Sequence, residues 1–183
     1  MRPSVRKNIP IPFTFSLQLS QIFLQYWFIG MAILDKVSRR ILQELQINSH
    51  RSVQELADRV GLSSTPCWRR VRELEQSGVI RRYTALVDRE KIGLQTCVLA
   101  HVTLARNAEG VVDQFEAAMQ ACPDVVECYG TTGDVDYVIK VMVPDIKAYD
   151  AFLHGTIFKI PGVANIRSNM VLREVKYETA LPL

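Results

Sequence analysis

The sequence predicts an α+β protein in two parts, on three observations. Short amphipathic helical patterns with clear start and stop residues crowd residues 35–78. Strand and helix periods then alternate as β-α-β-β-α-β over residues 97–175. The charge changes sign between them: residues 31–95 hold 12 Lys/Arg against 8 Asp/Glu, and residues 96–183 hold 7 against 11. A basic front favours a polyanion and an acidic back does not. With 183 residues, 48% of them hydrophobic, the chain can supply a core to each part.

Residues 1–30 stand apart. Arg2, Arg6 and Lys7 precede an apolar run broken by Gln18, Gln21 and Gln25, with no small-x-small cleavage signal behind it. The run is too short and polar to span a bilayer. An extension outside the fold, with Met31 as the natural start, is the expectation. A surface or partner helix built on Ile22, Phe23, Tyr26, Trp27 and Ile29 is the alternative.

The first helix is predicted from Asp35 to about Ile47, with Val37, Ile41, Leu42 and Leu45 inside and the polar run 48–50 ending it. Ser52 caps a second helix whose inner face is Val53, Leu56, Ala57 and Val60, and Gly61 closes it. Ser63 is the expected cap of a third, with Pro66 in its first turn and Gly78 as the stop. Helix, glycine turn, helix is the helix-turn-helix arrangement, in a three-helix unit.

Helical stepping along the third helix puts Cys67, Val71 and Leu74 on one stripe, and Thr65, Arg69 and Arg72 on another with Arg70 beside them. A charged helix face is by itself most often a solvated one. Here short polar residues at the helix start (Ser64, Thr65) and guanidinium groups along one side suit a DNA major groove, where Arg donates to guanine and to phosphate. In that reading Arg69 or Arg72 reaches a base edge, and Arg70, Arg81 and Arg82 hold phosphates. Cys67 and Trp68 are expected to pack. Residues 79–80 and 83–87 are strand-like and would form a small basic wing.

Residues 89–96 form a polar connection, so the predicted division is 1–30 extension, 31–88 helical domain, 89–96 linker and 97–183 second domain. In the second domain, residues 97–105 read as a strand. Val111, Val112, Phe115 and Met119 mark a helix, residues 125–132 and 137–143 a hairpin about Gly133-Asp134, and Ile146, Tyr149, Leu153 and Ile157 a second helix. Residues 163–175 are the last strand. The order βαββαβ is that of a ferredoxin-like sandwich. The far sheet face, with Val98, Ala100, Val102, Val138 and Lys140 assigned to it, would then need a second copy as cover.

Cys67, Cys97, Cys122 and Cys128 form no C-x-x-C pair, and His50, His101 and His154 stand at no ligand spacing. No phosphate loop, catalytic triad or zinc motif is present. No metal, no catalytic residue and no enzyme activity are therefore expected.

The motifs Leu-Asp-Lys-Val-Ser-Arg-Arg-Ile-Leu at 34–42, Leu-Ala-Asp-Arg-Val-Gly-Leu-Ser at 56–63 and Thr-Pro-Cys-Trp-Arg-Arg-Val at 65–71 resemble the leucine-responsive/asparagine-responsive (Lrp/AsnC) transcriptional regulators. So do Leu74-Glu75, Gly78-Val79-Ile80, Thr-Gly-Asp-Val-Asp-Tyr at 132–137 and Pro161-Gly162-Val163. The resemblance covers residues 31–183. It implies a winged helix-turn-helix domain followed by a RAM/ACT-like ferredoxin domain, in a cytoplasmic regulator. Such a regulator binds double-stranded DNA as a homodimer or a larger assembly of dimers, without a cofactor and away from membranes.

The resemblance also implies a small amino-acid effector held between dimers, with Thr132, Gly133, Asp134 and Asp136 lining the cleft and Asn169 and Met170 facing it. The chain's end, together with Thr-Pro-Cys-Trp, is similar to a cysteine-responsive branch, so a cysteine or leucine-like effector is expected. Backbone N–H groups around Gly133 would suit the zwitterion's carboxylate and Asp136 its ammonium. Without the resemblance, a plain hairpin turn explains these residues equally well. An amino-acid-binding allosteric subunit of a metabolic enzyme is the second functional reading. An enzyme built on Asp134 and Asp136 is the third, and it has no base or nucleophile at a recognisable spacing.

Overall fold

A computed structural model describes residues 34–105 and 110–183, so the expectations for residues 1–30 lie outside the described residues. Packing divides the chain into two compact units. One runs through Tyr83 and includes Thr179–Leu183; the other is Thr84–Glu178.

In the first unit, helix α1 spans Lys36–Ile47, α2 Val53–Val60 and α3 Ser64–Gln76. Asp35 caps α1 by accepting a hydrogen bond from the Ser38 N–H (2.7 Å). Ser52 and Glu55 cap α2 reciprocally, Glu55 N–H to Ser52 Oγ at 3.2 Å and Ser52 N–H to a Glu55 carboxylate oxygen at 2.8 Å. Gly61 ends α2 in the left-handed region (φ 73°), where a side chain would be strained, and so turns the chain into α3. Ser63 occupies the cap position of α3, but its side chain makes no capping hydrogen bond.

Ile41, Leu42, Leu56, Ala57, Val60, Cys67 and Leu74 form the buried core, and Leu62, Val71 and Ile80 pack against it. Cys67 thus packs as expected, whereas Val53, expected inside, is exposed at the first turn of α2. The last residues return to this unit: Gln46 exchanges hydrogen bonds with both backbone groups of Leu181, and the Gln43 side chain donates to the Leu183 carbonyl (2.7 Å).

The strands expected at 79–80 and 83–87 do not form. The Ile80 N–H is already donated to the Leu74 carbonyl (3.0 Å), closing the end of α3, so residues 79–80 have no ladder to offer. An extended segment without a partner strand is not a strand, whatever its alternation.

In the second unit, β1 spans Thr96–Leu104, α4 Val111–Ala121, β2 Val125–Gly130, β3 Tyr137–Val143, α5 Ile146–Gly155 and β4 Val163–Met170, with a short 3-10 turn at Ile157–Lys159. The sheet order is β2-β3-β1-β4, each neighbouring pair antiparallel, as the βαββαβ pattern predicts. Residues 88–95 close on themselves through the Arg89 guanidinium, which donates to the carbonyls of Leu94 and Gln95 (3.1 Å each).

The core joins Val98, Ala100, Val102 and Leu104 of β1, Ile139 and Val141 of β3, Phe115 and Met119 of α4, and Phe152 of α5. This corrects one expectation. Val98, Ala100 and Val102 are wholly buried beneath the helices, and the open face carries Leu99, His101 and Thr103 of β1 with Val138, Lys140 and Met142 of β3. Gly162 shows how close the packing is. Its φ is 85°, its carbonyl accepts from the Ala105 N–H (2.7 Å), and a Cβ there would stand 2.5 Å from a Val111 methyl.

Candidate nucleic-acid interface and effector cleft

On α3 the exposed stripe is Thr65, Trp68, Arg69 and Arg72, at the i, i+3, i+4, i+7 spacing of one helix face. Cys67 and Leu74 anchor the opposite face in the core. Arg69 lies 3.7 Å from Glu73 and Arg72 3.2 Å from Glu75, both pairs within the helix and both arginines more than half exposed. Glu75 also accepts from the Tyr83 hydroxyl (3.1 Å).

Trp68 was expected to pack, and it does not: it is 50% exposed, with the Arg72 guanidinium 5.2 Å from its ring centroid. Stripe arithmetic would have found it, since position 68 is three after Thr65 and four before Arg72.

Arg70 turns to α1, where it pairs with the Asp35 carboxylate (2.5 Å) and reaches the Ser38 hydroxyl (3.3 Å). Hydrogen bonds from Ser38 and then the Arg70 contact hold the Asp35 carboxyl down to a pKa of about 2. Ser64 donates its hydroxyl to Gln54 of α2. Arg81 and Arg82 are exposed beyond the helix.

The second unit places its polar cluster at the β2–β3 turn, residues 131–136. The Thr131 N–H bonds the Asp136 carbonyl (2.8 Å) and its hydroxyl donates to the Val135 carbonyl (2.7 Å). Asp136 ties this turn to β1 twice: its N–H donates to the Val102 carbonyl (3.0 Å), and its carboxylate accepts from the Leu104 N–H (2.7 Å). Gly133, at φ 123°, makes the bend.

Against this turn lies an open cleft of about 370 Å³, within the roughly 300–1,000 Å³ usual for small-molecule sites. Its lining combines an apolar side, Leu104, Ala105, Val111 and Val112, with Gly130, Thr131, Asp136 and Tyr137. Burial first, and then the hydrogen bond to Glu116 (2.6 Å), push the Tyr137 hydroxyl up to about 12, so it stays protonated.

Of the residues expected at an effector cleft, Asp136 lines this one. Thr132, Gly133 and Asp134 sit exposed on the turn beside it. Asn169 and Met170 lie elsewhere. They pair with Leu99 and Val98, near the far end of β1 from Leu104, a separation of roughly 15–20 Å along the strand. They also differ in direction, because Asn169 is on the open face, against His101 Nδ1 (3.2 Å), and neighbouring strand residues point to opposite faces. The apolar lining was not legible beforehand, since Leu104, Val111 and Val112 read equally well as ordinary core.

Among the described residues no cluster of three or more His, Cys, Asp and Glu is arranged to hold a metal ion, and no helix is long and apolar enough to cross a membrane.

Comparison with known proteins gives consistent matches for both units. Residues 34–81 match a winged helix-turn-helix DNA-binding family, and residues 97–181 match the Lrp/AsnC ligand binding domain. The leucine-responsive regulatory proteins of Salmonella typhimurium and Escherichia coli K12 are each 43% identical over 148 residues, covering 81% of this chain and 90% of theirs. A Neisseria meningitidis transcriptional regulator solved in complex with L-Met is similar at 36% identity and a TM-score of 0.78, over 81% of this chain and 96% of that one. An AsnC family regulator from Agrobacterium tumefaciens is 42% identical with a TM-score of 0.77, at the same coverage.

Proposed function

Because this chain belongs to the Lrp/AsnC family, a DNA-binding transcriptional regulator with an amino-acid ligand-binding domain, we propose that its effector is an apolar amino acid bound at the cleft beside the β2–β3 turn. The observation that carries this reading is the composition of that cleft: an apolar wall from β1 and α4 facing a turn that carries Asp136. A zwitterion with an aliphatic or thioether side chain matches both halves.

Asp136 has one oxygen on the Leu104 N–H, and a carboxylate has capacity for more donors, so the same group can take the ligand's ammonium. The exposed N–H groups about Gly133 suit its carboxylate. The relative solved with L-Met supports a side chain of leucine or methionine size over one as small as cysteine.

The distance between the turn and Asn169 or Met170 bears on assembly. If those two residues also meet the effector, they come from another copy, and ligand occupancy then biases how copies associate. The exposed Leu99 and the partly exposed Val138 and Met142 on the open sheet face suit cover by a second copy. The working form proposed is a cytoplasmic homo-oligomer, with DNA binding by α3 modulated through that association.

Calorimetric titration of the full chain with leucine, methionine, cysteine, aspartate and lysine tests the effector. Leucine or methionine should bind, and Val112→Asp should weaken that binding at least tenfold while leaving DNA binding intact. Preferential binding of aspartate or lysine would overturn the apolar assignment.

A further inference from the structure

Trp68 stands where a packing residue is not needed. The inner face of α3 is already supplied by Cys67, Val71 and Leu74, and Trp68 falls on the opposite stripe, half-exposed between Thr65 and Arg72. Its neighbours hold Arg72 in place. The guanidinium rests 5.2 Å from the indole centroid, a Glu75 carboxylate oxygen accepts from it at 3.2 Å, and the Tyr83 hydroxyl donates to Glu75 in turn (3.1 Å). A cation over an indole is attracted by the ring's negative face, and the planar guanidinium keeps its remaining N–H groups free while it stacks. Arg72 is thus pre-positioned before any DNA arrives, and the uncovered part of the ring faces outward on the same stripe.

We infer that Trp68 is a specificity-determining residue, whose exposed indole packs on the C5-methyl group of a thymine beside the guanine read by Arg72. The chemistry of the groove selects this partner. Base edges in the major groove offer hydrogen-bonding atoms and one apolar group, the thymine methyl, so an apolar ring gains discrimination there and nowhere else. Stacking on Arg72, whose preferred base partner is guanine O6 and N7, places that thymine at a neighbouring base pair. The inference rests on α3 being the reading helix, and the experiment separates the two.

Duplexes enriched by the full chain from a random pool are re-made with each thymine replaced singly by deoxyuridine, which lacks only the methyl group. Affinities are then measured for the wild type, Trp68→Ala and Trp68→Phe. Removing one buried methyl should weaken the wild type about fourfold at one position in the site. Trp68→Ala should lose that penalty entirely at the same position while keeping salt-sensitive binding, and Trp68→Phe should keep part of it.

No deoxyuridine penalty for the wild type, or an equal penalty for Trp68→Ala, would overturn the thymine contact while leaving α3 as the reader. Failure of the wild type to enrich any sequence would overturn both. Because Trp68 is half-exposed, Trp68→Ala should fold, and Trp68→Phe guards the result if it does not.

Discussion

Helix α3 and the β2–β3 turn both present polar side chains outward, yet they are held in opposite ways. On α3, Arg69 and Arg72 are held only by side chains of their own helix, Glu73 for Arg69 and both Glu75 and the Trp68 ring for Arg72, and those contacts are exposed. At the turn, Asp136 is bound through its N–H and its carboxylate to the backbone of β1. Exposed ion pairs contribute little to stability, whereas a backbone N–H left without an acceptor costs more. The difference teaches where function can be changed in isolation. The exposed α3 stripe can be altered without touching the fold, while the turn is part of the fold it belongs to.

The sharpest way to break that contrast is Asp136→Ala. It leaves the Leu104 N–H without its acceptor and should lower the second unit's stability by about 1–3 kcal/mol, read by chemical unfolding, along with any effector response. A stable variant that had merely lost the effector would make Asp136 a ligand residue alone. Arg72→Ala should do the reverse. Stability should stay within about 0.5 kcal/mol of wild type, while discrimination at one base pair falls by about 1–3 kcal/mol, measured by competition among site variants.

The smallest effect concerns Asp35. Its carboxyl titrates near 2 in the folded protein against an ordinary 3.8, so between those values the unfolded chain binds more protons. The stability it contributes is fully present above about pH 3.8 and is lost as pH falls toward 2. Amide exchange in α1 should show this slope, and Asp35→Asn should flatten it.

The comparison also explains which parts were legible in the sequence. Caps and turns speak locally: Asp35, the Ser52–Glu55 pair, Gly61 and Gly78 name their own positions, and the βαββαβ order follows from periods of two and 3.6. β1 was harder. At its start both alternating sets are apolar, Cys97 and Leu99 against Val98 and Ala100, and only His101 and Thr103 further along mark the first set as the outward one, a signal the expectation passed over. The expected wing strands failed for a related reason, because pairing depends on a partner that alternation does not name.

Asp136 shows the limit on the site side. An acidic residue after a glycine turn is recognisable, but its bond to an N–H 32 positions earlier is a property of the folded sheet. Trp68 is different again. Its spacing was readable, and the general tendency of aromatic residues to be core outweighed it.

The glutamates on α3 have one more consequence. In the proposed reading of α3, an arginine that meets DNA arrives already accompanied by an anion of its own helix, Glu73 for Arg69 and Glu75 for Arg72. On random sequence those partners can remain in place, so the helix pulls only weakly on the duplex and the protein can leave quickly. Only a site whose base edges offer better acceptors than the glutamates will displace them and lengthen the stay. In that reading the same two carboxylates, which look like incidental helix pairs, would act as a filter on residence time during the search along DNA.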